Sequence, residues 1–263
     1  MKMQGMDFAI KDKATWFYQK ANVAKSLTPL ILSKERIKHN GKLQIFYDST
    51  NAVCGTDNYI IKIYAPAICG YKPLNDLKRE IYALERVQET SIYAPRLLSW
   101  GVIETTLSFY YCIIERISIP PASEYLLSCS KHELLVFGDK LKEALNILQT
   151  IEVCDTGLSK SSIKYTIGTF VHGDLTGSNV LFDGKNLAII DFEDWQFTSA
   201  LAELPAIVFE MIHNHIDIAP AFLGISKEDF RAKLSTGIEM HYASDRFKRI
   251  YTDFTEQLNL YGL

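Results

Sequence analysis

The sequence predicts an α+β protein of two lobes: an N-terminal lobe built on an antiparallel sheet (1–117) and a mostly helical C-terminal lobe (118–263). Three observations point there. Strand-like runs of Ile, Tyr and Phe crowd the first 117 residues around a single amphipathic helix. A stiff segment with Pro120-Pro121 follows. Beyond it helical spacing dominates, interrupted by one loop–strand–turn–strand stretch over 170–194.

Taken in order, residues 15–38 mix apolar and basic positions at helical spacing and predict one or two helices. Asn40-Gly41 is a turn signal. Runs 42–47 (KLQIFY) and 59–64 (YIIKIY) read as strands, with turns at Thr50-Asn51 and 55–58 between them. Residues 75–90 form an amphipathic helix with Leu77, Ile81, Leu84 and Val87 on one face, and Pro95 lies beyond its end. Runs 97–102 and 109–117 read as strands, the second apolar enough to be central or covered. After the proline linker, 131–151 is helical with Gly138 weakening its middle. Strands at 180–182 and 187–190 flank an Asp183-Gly184 turn, and from Ala200 onward the pattern is mostly helical.

Composition narrows the class of function. The chain has 263 residues, 48% of them hydrophobic, enough for a substantial core. A net charge of −3 gives no basic footprint for nucleic acid. Five cysteines without a C-x-x-C pair argue against a disulfide scaffold or a zinc site and fit a reducing compartment. No run is long and apolar enough for a membrane span or a signal peptide, so a cytoplasmic protein is expected.

The chemistry concentrates in 171–194, VHGDLTGSNVLFDGKNLAIIDFED. Asp174 and Asn179 sit on one loop, and the following apolar strand ends at Asp191. Phosphoryl transfer needs such a set: Asp174 to accept or orient the proton of an attacking hydroxyl, Asn179 and Asp191 to hold Mg²⁺ on the nucleotide phosphates. Each residue alone is ordinary turn chemistry; the combination and spacing carry the reading. Glu193 and Asp194 follow closely enough to reach a second metal, but a solvated surface role is the better reading of them. His213 and His215 point to different sides of a helix, which argues against a metal pair.

This segment resembles the catalytic core of the aminoglycoside-phosphotransferase and choline-kinase branch of the protein-kinase-like fold. That branch carries H-G-D-x-x-x-x-N and I-D-F-E where protein kinases carry H-R-D-x-x-x-x-N and D-F-G. Gly173 and Glu193 are the branch-specific residues. The resemblance implies a structural role for His172, not that of a general base. It implies a strand lysine, Lys62, on the α- and β-phosphates, paired with a helix glutamate, Glu80, with Glu85 competing. It implies backbone contacts from Glu115 and Ile117 to adenine. It also implies a phosphate loop in which Ser49, Thr50 and Asn51 stand where protein kinases use glycines. The family's aspartate that buttresses the catalytic loop has no counterpart; Glu203 either takes its place or the buttress is absent.

The expected activity is ATP-dependent, or GTP-dependent, transfer of the γ-phosphate to a hydroxyl of a small acceptor, cationic or sugar-like. Acidic residues after 200, among them Glu203, Glu210, Asp217, Asp229 and Asp245, would suit a cationic acceptor, yet such residues on helices also face water. A kinase acting on a protein and a non-catalytic nucleotide-binding protein are the alternatives.

Overall fold

The computed structural model describes residues 7–38, 42–154, 157–160 and 168–263; the Asn40-Gly41 turn signal lies outside them. The chain divides into two compact units, Met1–Glu85 with Pro95–Ser118, and Arg86–Ala94 with Ile119–Leu263.

The first unit is a five-stranded antiparallel sheet in the order β1-β2-β3-β5-β4, with β1 Gln44–Phe46, β2 Ala52–Gly55, β3 Tyr59–Ile63, β4 Leu97–Glu104 and β5 Ser108–Glu115. The apolar run 109–117 is indeed interior, as β5 lies between β3 and β4. One strand was hidden in the sequence. Between the turns expected at Thr50-Asn51 and 55–58, where no strand was assigned, lies β2, which is short and flanked by turn-forming residues, so its signal is weak.

Helix α1, Lys13–Lys34, is one continuous helix despite Pro29. It opens with a reciprocal cap: Asp12 accepts the Thr15 N–H at 2.8 Å and Thr15 Oγ1 accepts the Asp12 N–H at 3.0 Å. Its buried face, Trp16, Val23, Ala24, Leu27 and Ile31, packs with Ala52, Cys54, Ile61 and Ile63 of the sheet in one core. Helix α2, Pro73–Val87, buries Leu77, Leu84 and Val87, as its sequence period predicts.

The second unit holds α3 Ala122–Leu126, α4 Lys131–Leu148, two small sheets and a series of C-terminal helices. Ser130 and Glu133 cap α4 reciprocally. Gly138 is required by close packing, since a Cβ there would meet Phe222 side-chain and backbone atoms at 2.8 and 2.9 Å. Strands β6 Thr169–Val171 and β9 Gln196–Thr198 pair with each other, and β7 Val180–Phe182 pairs with β8 Leu187–Ile189 across the predicted Asp183-Gly184 turn. Asp183 Oδ1 accepts the N–H groups of Lys185 and Asn186 at 2.9 and 2.7 Å, and Gly184 takes φ +91°, which fixes that turn. Beyond β9 come a 3₁₀ turn Ala200–Glu203, α5 Leu204–Ala206, a π turn Ile207–Met211, a 3₁₀ turn His213–Ile218 and α6 Ala219–Leu223. Helices α7 Lys227–Met240 and α8 Ser244–Leu260 complete the chain. Among the described residues no helix is long and apolar enough to cross a membrane.

Candidate active site

In the second unit the loop after β6 carries the H-G-D triplet, and side chains from three other segments hold it. His172 is fully buried against Phe192. Its Nδ1 accepts the Asp174 N–H at 3.2 Å, so Nε2 carries the proton and donates to Ile190 O at 2.9 Å. Both ring nitrogens are committed to backbone, which leaves none for proton transfer. Ile190 N–H in turn donates to Asn179 O at 2.9 Å. The two successive peptide units that flank the Ile190 α-carbon are thus each held, so the chain between the end of β8 and Asp191 is pinned to the loop.

Asn179 donates from Nδ2 to both the Asp174 backbone oxygen and the Asp174 carboxylate, each at 2.9 Å. The amide orientation is therefore set by two bonds, with Oδ1 at the other end as an oxygen donor. Asp191 occupies the left-handed region, φ +66° and ψ +63°, an uncommon place for a non-glycine residue. The Asp191 carboxylate and the Asn179 amide oxygen are hard donors that suit Mg²⁺.

Asp174 is pushed up to about 7, first by burial and then by the negative charges of Asp194, Asp191 and Glu210, with Arg246 opposing. A carboxylate cluster that holds back its own ionisation fits the charge of a divalent cation, so the residues present suit the metal.

Glu203 is fully buried under the loop, and its carboxylate accepts the N–H groups of His172 and Gly173. Burial raises its pKa while those two amides favour the charged form. Residues that motif reasoning missed close the loop from the other side. His241 Nε2 donates to Gly173 O at 2.7 Å, its Nδ1 accepting the Ala243 N–H at 3.0 Å. Tyr242 OH donates to Asp194 at 2.8 Å, and Lys160 pairs with the same carboxylate at 2.5 Å. Asp194 is thus engaged within the fold, where a solvated surface residue was expected. Arg246 pairs with Glu210 at 2.5 Å. The sequence separations, 68 residues from His241 to Gly173 and 34 from Lys160 to Asp194, leave no local signal for any of these.

In the first unit, Lys62 on β3 and Glu80 on α2 form an ion pair at 2.9 Å, both buried, and Tyr64 OH donates to the same glutamate. The rival Glu85 is exposed. Ser49 and Thr50 lie in the loop between β1 and β2, while Asn51 is buried with Oδ1 accepting the Ala65 N–H at 3.1 Å. Glu115 donates its N–H to Arg96 O at 2.9 Å; the peptide groups of Ile117 make no hydrogen bond among the described residues.

Residues 168–224 match the model of a phosphotransferase enzyme family, APH. No curated protein matches the chain in sequence. Several solved structures are similar in fold. A gentamicin complex of the aminoglycoside phosphotransferase APH(2'')-IIa is 13% identical with a TM-score of 0.63, over 89% of this chain and 93% of that one. A GDP complex of an aminoglycoside 2'-phosphotransferase-IIIa is 12% identical with a TM-score of 0.64, over 90% and 94%. An amicoumacin kinase in complex with AMP-PNP, Ca²⁺ and Ami is 10% identical with a TM-score of 0.56, over 82% and 79%. The chain has the protein-kinase-like fold of the aminoglycoside phosphotransferases, and its 168–224 segment, which carries Asp174, Asn179 and Asp191, matches their phosphotransferase family model.

Proposed function

We propose that the protein transfers the γ-phosphate of ATP, or of GTP, to a hydroxyl group of a small molecule. The observation that carries this reading is the pinned loop that joins Asp174 to Asn179 and, through Ile190, to Asp191. Asp174 orients the acceptor hydroxyl and takes its proton as the oxygen attacks phosphorus. Asn179 Oδ1 and the Asp191 carboxylate hold Mg²⁺. The metal, when bound, neutralises charge on the β- and γ-phosphates. Lys62, kept in place by Glu80, contacts the α- and β-phosphates, and the peptide groups of Ile117 bind adenine with Glu115 beside them.

Ion pairs within the second unit support a sugar-like acceptor over a polycationic one. Lys160 neutralises Asp194, Arg246 neutralises Glu210, and Lys131 pairs with Asp217 at 2.6 Å. Glu203 is spent on the loop backbone. Among the acidic residues that would attract a polyamine, Asp194, Glu210 and Asp217 are thus matched by bases of the same unit.

The test is ATP turnover with Mg²⁺ over a panel of neutral sugars, nucleosides and the aminoglycoside kanamycin, with Asp174→Asn as control. Phosphorylation of a neutral hydroxyl compound that disappears in the variant is the expected result. Absence of metal-dependent binding of both ATP and GTP by calorimetry would overturn the kinase reading. Efficient turnover of kanamycin alone would overturn the acceptor assignment.

A further inference from the structure

The loop between β1 and β2 lacks the glycines that let a backbone wrap phosphate groups, yet it is held firmly from one side. Lys20 is an interior lysine of α1, only 8% exposed. Its ammonium donates to the carbonyl of Tyr47 at 2.7 Å and to that of Ser49. One turn earlier on the same helix, buried Trp16 donates from Nε1 to the carbonyl of Thr50 at 2.8 Å. Three carbonyls of one short loop are therefore turned toward α1. Asn51 closes the loop, with Oδ1 on Ala65 N–H and its own N–H on Ser49 Oγ at 3.2 Å.

A trans peptide unit directs its N–H opposite to its C=O. The unit whose carbonyl is Tyr47 O carries the Asp48 N–H; the unit whose carbonyl is Ser49 O carries the Thr50 N–H. Both amides must point away from α1. Neither donates a hydrogen bond among the described residues. The sheet gives that direction a meaning. Ile61 and Ile63 lie in the core with α1, so Lys62 between them projects from the opposite face. The two open amides and the Lys62 ammonium are thus directed away from α1.

We propose that Lys20 is a positioning residue for polyphosphate: it turns the Tyr47–Asn51 backbone so that the Asp48 and Thr50 amides form an anion-binding pair on the Lys62 face. The inference rests on the reading of this unit as the nucleotide-binding part. It explains a buried ammonium that no catalytic motif requires. Burial lowers the Lys20 pKa while Asp48 favours its charge, and two carbonyl acceptors compensate for lost hydration. It also accounts for the missing glycines, since fixed carbonyls replace backbone freedom as the source of the loop's shape.

The experiment compares ATP and adenosine binding, with Mg²⁺ present, in the wild type and Lys20→Met, which keeps the side-chain stem and removes the ammonium. The expected result is that ATP binding weakens about tenfold while adenosine binding stays within about twofold. Equal losses for both ligands, or no loss for either, would overturn the proposal. Should Lys20→Met fail to fold, the wild type answers alone. Upon ATP addition the amide protons of Asp48 and Thr50 should move downfield in a ¹⁵N-correlated spectrum, and adenosine should leave them in place. Unmoved amides in an ATP-bound protein sink the proposal and spare the kinase reading. A wild type that binds neither of these ligands, nor GTP, sinks both.

Discussion

His241 donates its Nε2 proton to the carbonyl of Gly173 at 2.7 Å, tying the residue that follows α7 to the middle of the H-G-D loop. Its other nitrogen accepts the Ala243 N–H, so the ring has no nitrogen to spare. Burial brings its pKa from the usual 6.5 down to about 4, with the bond to Gly173 and the charge of Asp194 opposing and Arg246 assisting. The depressed value fixes the sign of a pH effect. Above 6.5 the imidazole is neutral in both the folded and unfolded chains and contributes fully. As pH falls from 6.5 to 4 the unfolded chain takes up a proton that the folded one refuses, and stability is lost, by up to about 3 kcal/mol. Denaturant unfolding at pH 7 and pH 4.5 should show that slope, and His241→Ala should flatten it. The same variant should cost roughly 2–4 kcal/mol at pH 7, because Gly173 O and Ala243 N lose their partner.

Gly173 admits no side chain. Its φ is +84°, and a Cβ would lie 2.2 Å from Asp194 O and 2.9 Å from Gln196 Nε2. The backbone oxygen cannot rotate away as a side-chain tip could. Gly173→Ala should therefore displace either the loop or the Asp191–Asp194 segment, lowering stability by more than the ~1–2 kcal/mol of left-handed strain alone. ATP turnover should fall at least about a hundredfold, since a misplacement near 1 Å at reacting groups has that scale. A Gly173→Ala protein with near-wild-type turnover and melting temperature would contradict this packing.

These particulars show what a single sequence can and cannot reveal. The grouping of Asp174, Asn179 and Asp191 was legible because it rests on a fixed local spacing, five residues and then one hairpin. Lys62 and Glu80 were legible only by position in a fold already suspected. His241, Lys160, Tyr242 and Lys20 were not, because each acts through long-range contacts and looks like an ordinary surface or helix residue. Strand β2 escaped because four residues give too little alternation to outweigh the turn-forming residues beside them. Glu203 sat between the two cases: its place after the strand that leads to Asp191 suggested a buttress, but only its burial and its two amide partners show what it holds.

Lys62 and Glu80 are 4% and 1% exposed, so their ion pair is a buried one. Removing one partner leaves a charge with inadequate hydration. Lys62→Met should cost about 3–5 kcal/mol, although Tyr64 OH still reaches Glu80. Replacing both, as Lys62→Met with Glu80→Leu, should recover part of that loss, since no buried charge is then left unpaired. Nucleotide affinity should not follow stability. On the proposed function the double variant melts higher than the single one and yet binds ATP no better. Restored ATP binding in the double variant would show that Lys62 serves the fold alone.

Glu203 reaches the loop from the 3₁₀ turn after β9, and one of its oxygens serves both the His172 and Gly173 amides. That geometry separates two substitutions. Glu203→Gln keeps an acceptor oxygen at the same reach, so stability should fall by no more than about 1–2 kcal/mol. Glu203→Asp keeps the charge but is one methylene shorter. The carboxylate then stays buried without reaching both amides, and the cost should rise to about 3 kcal/mol or more. Turnover should follow the same order, because the Asp174 backbone is carried by the peptide next to Gly173. Melting temperatures and kcat for the two variants decide it. If Glu203→Asp is the milder change, charge matters more than reach, and the loop is held electrostatically instead of by two directed hydrogen bonds.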